Sequence, residues 1–186
     1  MSRRTVFSAL ATVVAIALAT LVWLHLPANT TIYAPFDVHA GVASRAVGQN
    51  LSATVTKAAI TPPTVTAKQS RKSYPAAGVW VVVSTTLDVA REPVLPHADL
   101  LVGPNTYVPT TVLLPGADLV QPGITQQRTW AFDVPPDLLK SVPSVVVRLW
   151  GGGDGRLDSR LVIDIPLDNV DRPQSVVVPP SELEAR

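Results

Sequence analysis

Cysteine is absent from this 186-residue chain, and its positive and negative charges nearly balance. Without cysteine the chain forms no disulfide, offers no thiol nucleophile and has no attachment point for a lipoprotein anchor, so an exported part must fold through its core alone. The 15 Lys and Arg residues face 14 Asp and Glu residues. This balance argues against the basic surface of a dedicated nucleic-acid-binding protein, so we expect no nucleic-acid partner.

The sequence motifs of common enzymes are missing too. The chain has no G-x-S-x-G elbow, Walker loop, H-E-x-x-H pair or G-x-G-x-x-G turn after a strand. The run Gly151-Gly-Gly-Asp-Gly155 lies between two predicted strands and no helix with Lys-Ser or Lys-Thr follows it, which indicates a hairpin connection rather than a phosphate cradle. The sequence therefore predicts a non-catalytic protein without a cofactor.

One long uncharged segment occupies the amino-terminal region, because no Asp, Glu, Lys or Arg occurs between Thr5 and Phe36. Its apolar part, residues 6–26, would span about 30 Å as a helix, which is the thickness of a bilayer's hydrocarbon core. Arg3 and Arg4 precede it, and positive charge beside the first apolar segment tends to stay in the cytoplasm. The residues predicted to span the membrane include Val6, Leu10, Val14, Leu18 and Val22. We expect a single-pass protein of the cytoplasmic membrane, with residues 1–5 inside, residues 6–26 in the bilayer and the remainder outside.

A cleaved secretory signal begins in the same way, with a short basic region and an apolar run. The run here is longer than the about 7 to 15 residues of a signal peptide. The nearest candidate cleavage site, Leu26-Pro27-Ala28, carries proline where small residues are needed. An uncleaved signal anchor, with the bilayer as its partner, is therefore the preferred interpretation.

After a connector at residues 27–35 the hydrophobicity follows the period of β-strands, and Pro, Gly and Asn separate the apolar runs. Val79–Val89 is apolar on both faces at its start and on one face at its end, which predicts a central strand. The predicted strands are Phe36–Ser44, Asn50–Thr61, Val79–Val89, Asp99–Val102, Tyr107–Leu113, Gln127–Val134, Val145–Trp150 and Arg160–Pro166. They predict an all-β sandwich of about 7–8 strands, in a single domain at residues 36–168.

Four segments in order resemble a known family: Gly78-Val-Trp-Val-Val-Val-Ser-Thr-Thr-Leu, Asp99-Leu-Leu-Val-Gly-Pro-Asn-Thr-Tyr-Val-Pro, Leu119-Val-Gln-Pro-Gly and Thr129-Trp-Ala-Phe-Asp-Val-Pro. They are similar to the DUF4352-type, telokin-like immunoglobulin-fold domains of exported bacterial proteins. The resemblance covers residues 50–168. The asparagine-containing turn that the family has after its long strand is replaced here by Asp88-Val-Ala-Arg-Glu-Pro93. The resemblance implies an immunoglobulin-like sandwich of the bacterial cell envelope with no active-site residues.

Two short motifs could together form a metal site. Asp37 and His39 are two residues apart, as are His97 and Asp99, so each pair points to one side of a strand. Four such ligands on neighbouring strands would suit zinc. The alternative, which we prefer, is that both pairs are surface hydrogen-bonding groups and that the protein holds no metal.

Two polar segments flank the predicted core. Residues 62–77 form an insert that carries Lys68, Arg71 and Lys72, either a basic contact loop or, as we prefer, a solvated hairpin tip. Residues 169–186 are rich in proline and are expected to be disordered or extended. In the alternative, the valines at 176–178 add to a sheet edge.

Two functions remain open. A short tether and a sandwich without catalytic groups favour a domain that binds or supports another envelope or membrane protein. The alternative is a periplasmic ligand- or lipid-binding module, which would need an apolar cavity larger than about 300 Å³ between the sheets.

Overall fold

The computed structural model describes residues 3–26, 32–62, 64–68, 72–111, 118–153, 156–174, 176–179 and 182–185. The chain divides into two compact units, Met1–Ala34 and Pro35–Arg186. The described part of the first unit contains one long helix, and that of the second contains three β-sheets. The fold is an all-β sandwich with an amino-terminal apolar helix, as the sequence predicted.

Helix α1 spans Arg3–His25. Its segment Val6–His25 has a mean hydropathy of 2.3 and is not buried, so its length and composition suit a membrane-crossing helix. The hydroxyls of Thr12 and Thr20 donate to carbonyl oxygens one turn earlier, at 3.0 and 2.8 Å, and so need no partner outside the helix. The side chains predicted to span the membrane all lie exposed on α1: Val6, Leu10, Val14, Leu18 and Val22.

Two five-stranded sheets and one three-stranded sheet form the second unit. The first sheet consists, from edge to edge, of β1 (Phe36–Gly41), β11 (Ser159–Pro166), β10 (Ser144–Gly151), β7 (Pro96–Val102) and β8 (Asn105–Tyr107). The second consists of β13 (Glu182–Ala185), β9 (Ile124–Val134), β6 (Val79–Val89), β3 (Leu51–Thr61) and β2 (Arg45–Val47). The third consists of β12 (Val177–Val178), β4 (Thr64–Ala67) and β5 (Ser73–Pro75). A short helix, α2 (Pro136–Lys140), connects β9 to β10.

The main core lies between the first and second sheets. β6 is the middle strand of the second sheet, as predicted, and pairs antiparallel with β3 and β9. Val83 of β6, Phe132 of β9 and Leu149 of β10 belong to one cluster of buried side chains, each with no exposed surface. Burial of a side chain of this kind contributes about 1.5–3 kcal/mol, so the alternating pattern is the main source of the sandwich's stability.

A second, smaller core explains why β6 begins apolar on both faces. Trp80 and Val82 point away from the main core and are buried in a cluster that includes Val65 of β4 and Val178 of β12. The third sheet therefore covers the outer face of the first half of β6. The expected wet face begins at Ser84, which is only half-buried.

The third sheet decides the expectations for both polar segments. The insert at residues 62–77 forms the antiparallel hairpin β4–β5, as the preferred interpretation predicted, but Val65 and Ala67 of β4 are buried rather than solvated. The carboxyl-terminal tail contributes β12, which runs parallel to β4 as the alternative for the valines at 176–178 predicted, and β13, which pairs antiparallel with β9. Prolines keep this tail from forming a helix, but its valines can pair wherever an edge is open. The sequence pattern could not show which edge that is.

Several strand boundaries also differ from the prediction. β7 begins at Pro96 rather than Asp99, and β9 begins at Ile124 rather than Gln127. β8 ends at Tyr107, where the predicted strand Tyr107–Leu113 begins, and residues 112–117 lie outside the described residues. The chain thus leaves the first sheet earlier than its apolar pattern indicated.

Candidate ligand-binding cleft

A cleft of about 380 Å³ lies along one edge of β7. β8 pairs only with Leu100–Val102, so within the described residues the earlier part of β7 has no strand on that side. After β8 the chain crosses to the second sheet, where the Thr110 amide donates to the Ala131 carbonyl oxygen at 2.9 Å. The cleft is bounded by this crossing segment, by β7 and by the inner face of β9.

Apolar side chains form most of the cleft wall. The apolar and aromatic lining residues are Leu95, Pro96, Ala98, Val108, Pro109, Trp130 and Trp150, and the polar ones are His97, Thr111 and Arg128. The volume and the mixture of an apolar wall with a few polar groups are typical of small-molecule sites, which range from about 300 to 1,000 Å³.

Two stacked rings form the rim of the cleft. The antiparallel register of β10 and β7 places Trp150 opposite His97. Their ring centroids are 5.8 Å apart with an interplanar angle of 18°. The pair offers a flat, rigid surface, because each ring limits the rotation of the other.

The position of Trp130 in the wall is set by hydrogen bonds. Its indole Nε1 donates to Thr85 Oγ1 at 3.0 Å, and that hydroxyl donates to the carbonyl oxygen of Arg128 at 3.1 Å. Both bonds are buried and join β6 to β9. The indole is therefore held in place before any ligand arrives.

Arg128 is the only charged residue among those that line the cleft in the described part of the chain, and only 5% of it is exposed. Its Nη2 donates to the Asp118 carbonyl oxygen at 3.1 Å, and its guanidinium carbon lies 5.3 Å from the centroid of the Trp130 ring. Within the described residues its buried Nε has no hydrogen-bond partner. Burial lowers the pKa of Arg128, an effect that the Asp118 carboxylate opposes. The group still carries its charge at neutral pH, because an arginine guanidinium is not deprotonated in proteins.

Arg128 was not among the candidate site residues predicted from the sequence, although a signal was present. Arg128 alternates with Trp130, Phe132 and Val134, so it falls in the buried register of β9. Gln126, two residues earlier, is also buried, and in the described part of the chain its side-chain nitrogen and oxygen have no partner. Burial of a charged or amide side chain costs free energy unless the group is hydrogen-bonded. Polar residues at buried positions of a predicted strand are therefore the sequence signal that could have pointed to the site.

The four metal-ligand candidates lie on one face of the first sheet but do not come together. Asp37 and His39 are on β1, whereas His97 and Asp99 are on β7, and β11 and β10 lie between them. With strands about 4.8 Å apart, the two pairs are about 14 Å from each other. The described residues contain no group of three or more side chains arranged to hold a metal ion.

Both carboxylates of these pairs bind arginine instead. Asp37 accepts hydrogen bonds from Arg160 Nε and Nη2 at 2.7 and 2.8 Å, and the first of these interactions holds the pKa of Asp37 below its ordinary value. Asp99 accepts from Arg148 Nε at 2.7 Å and from its Nη2, and this hydrogen bonding raises the pKa of Arg148. Asp37 is an exposed hydrogen-bonding group, as the preferred interpretation has it, whereas Asp99 is buried.

The predicted basic loop lies at a hairpin tip. Lys68 is exposed in the turn after β4, and its amide donates to the Val178 carbonyl oxygen at 3.0 Å. The Lys72 carbonyl oxygen accepts from the Ala67 amide at 3.0 Å, and Arg71 lies outside the described residues. These contacts keep the third sheet together, and membrane or partner contact by this loop stays a prediction.

Comparison with known proteins leaves the family open. No protein-family model matches the chain, and no curated protein matches it. The chain is similar to an uncharacterised β-sandwich protein from Clostridium difficile 630, with 14% identity and a TM-score of 0.47 over 70% of this chain and 95% of that one. The resemblance to telokin-like domains therefore stays a prediction at the family level.

Proposed function

We propose that this is a non-catalytic, single-pass membrane protein whose extracytoplasmic domain binds a small apolar ligand in the cleft beside β7. The observation that carries the proposal is the cleft itself, which exceeds the volume of about 300 Å³ that a ligand-binding module needs and has two tryptophans in its wall. Preformed walls favour binding, because little conformational entropy is lost when the ligand enters.

The membrane part of the proposal is supported by α1 and its flanking charges. Arg3 and Arg4 are exposed at the start of the helix, and no Asp, Glu, Lys or Arg follows until Asp37. A carboxyl-terminal alkaline phosphatase fusion should be active, and the full-length protein should stay in the membrane through a high-salt wash. An inactive fusion or release by salt would contradict the anchored topology.

Binding can be tested with the full-length protein in phosphatidylcholine nanodiscs, with empty nanodiscs as the blank. Saturation-transfer NMR with 2-naphthoate and 2-naphthamide should detect at least one of the two bound to the protein. Val108 lines the cleft and is 77% exposed, so Val108→Asp should weaken binding without unfolding the domain. Leu119→Asp is the matched control, because Leu119 is exposed but outside the cleft. Equal effects of the two changes, or no binding of either probe, would rule out the cleft as the site.

A protein partner is the second candidate, favoured by the outer edge of β1. This strand pairs with β11 on one side only within the described residues, and the large side chain of Phe36 is exposed there. A photo-crosslinker at position 36, with one on the exposed Lys140 of α2 as control, would test it in cells. A product specific to position 36 would support a partner, and identical patterns would argue against it.

A further inference from the structure

We propose that the cleft selects apolar monocarboxylates, with Arg128 as the residue that binds the carboxylate. This inference rests on the proposed ligand-binding function and adds the chemical class of the ligand. It covers both aliphatic acids, such as acyl chains released from lipid, and soluble aromatic acids.

Arg128 forms no ion pair within the described residues, although the Asp118 carboxylate is near enough to influence its pKa. Arg148 and Arg160, which are more exposed, each make two hydrogen bonds to an aspartate. Arg128 is more deeply buried and, in the described part of the chain, hydrogen-bonds through its guanidinium only to a backbone carbonyl oxygen. A buried cation needs an anion and several hydrogen-bond acceptors, and a ligand carboxylate supplies both.

Arg128 is the one formally charged residue that lines the cleft in the described part of the chain, so the site offers at most one positive charge, which the Asp118 carboxylate weakens. Such a site disfavours a dianion such as a phosphate monoester. Trp130 holds the guanidinium plane by a cation–π contact, and Trp150 and Val108 provide apolar surface at the mouth. One negative charge on an apolar body matches these features.

The Arg128 guanidinium is held in position before a ligand binds. The Trp130–Thr85 hydrogen bond fixes the ring against which Arg128 lies. The bond from Nη2 to the Asp118 carbonyl oxygen fixes one end of the guanidinium, while Nε has no protein partner in the described residues. A planar cation of this kind presents its donors in a fixed geometry that suits a carboxylate.

The test compares each acid with its neutral amide on the full-length protein in phosphatidylcholine nanodiscs. Isothermal titration with 2-naphthoate against 2-naphthamide, and with octanoate against octanamide, should show the acid of at least one pair bound about tenfold more tightly, equal to about 1.4 kcal/mol. Arg128→Met should remove this preference. Arg160→Met, a change on the outer face of the first sheet, should leave it unchanged. Tighter binding of octanoate would indicate a lipid-derived ligand, and tighter binding of naphthoate a soluble aromatic acid.

The outcomes separate this inference from the proposed function. If acid and amide bind equally to the unchanged protein, the selectivity for carboxylates is refuted while the cleft remains a binding site. If neither binds, the proposed function itself fails. Should Arg128→Met not fold, the Nε–Hε resonance of Arg128 in the unchanged protein decides the question. It should shift on addition of the acid and not of the amide, and an unchanged resonance would overturn the proposal.

Discussion

Replacement of Asp99 by asparagine would measure the ion pair that joins β7 to β10, next to the cleft. The Asp99 carboxylate accepts hydrogen bonds from Arg148 Nε, at 2.7 Å, and from Arg148 Nη2. The Asp99 side chain is only 10% exposed and the Arg148 side chain only 21%. A hydrogen bond to a charged group contributes about 1.5–3 kcal/mol, and the loss of one partner leaves a partly buried charge uncompensated. Because asparagine retains one oxygen for the guanidinium, we expect the free energy of unfolding to fall by about 2 kcal/mol.

Asp37→Asn is the matched control, since Asp37 also makes two hydrogen bonds to one arginine on the same face. Its carboxylate and Arg160 keep 36% and 26% of their surface, so water replaces much of the lost interaction. Exposed ion pairs contribute about 1 kcal/mol or less.

The double variant Asp99→Leu/Arg148→Met should recover most of the stability that Asp99→Asn loses, because no charge is left unpaired.

The assay is thermal and urea unfolding of residues 35–186 at neutral pH, followed by tryptophan fluorescence. For a domain of this size, 1 kcal/mol corresponds to about 2–4 °C in Tm, so Asp99→Asn should lower Tm by about 4–8 °C and Asp37→Asn by clearly less. A loss below about 0.5 kcal/mol for Asp99→Asn, within the range of ordinary surface changes, would refute the reasoning. Equal losses for the two variants would refute it as well.

Three further changes test the core, a close approach and an ionisation. Val81→Asp should leave residues 35–186 unfolded by circular dichroism, because burial of an unpaired charge costs several kcal/mol; a folded variant would contradict the burial of β6. Gly78→Ala would place a Cβ 2.3 Å from the Val134 carbonyl oxygen and should cost about 1–3 kcal/mol in urea unfolding, whereas Gly41→Ala, with open space around it, should cost almost nothing. The hydrogen bonds from Arg160 lower the pKa of Asp37 in the folded state. The Asp37–Arg160 pair therefore stabilises the fold fully above the ordinary aspartate pKa, and this stabilisation is lost as the pH falls through the lowered value. The stability difference between the unchanged protein and Asp37→Asn should therefore shrink between about pH 6 and about pH 2, and a constant difference would contradict the pKa shift.

Patterns local to a segment predicted much of the fold. The apolar run of α1, the central strand β6 and the alternation in β9 were identified because a side chain's direction follows directly from helical or strand geometry. The strand β13 was not predicted, and β12 was predicted only as the less favoured alternative, because both segments are short and lie among prolines. Such segments form strands only when a neighbouring edge is available.

The candidate site, in contrast to the fold, was not predicted from local sequence patterns. Asp37, His39, His97 and Asp99 have the spacing of a metal site, yet two strands separate the pairs and arginines hold both carboxylates. In the sequence, Arg128 is one residue of an ordinary alternating strand. Its importance follows from what surrounds it, and a sequence does not display the partners that a buried charge lacks.

Residue order alone predicts an apolar amino-terminal helix, the absence of disulfides and an all-β domain with β6 at its centre, because hydropathy and periodicity are properties of contiguous residues. The folded domain was needed to show that the open edge of β7 faces Arg128 and Trp130 across a cleft, and that the tail covers the outer face of β6. These features depend on which strand edges meet and which faces are covered, and residues far apart in the chain settle both.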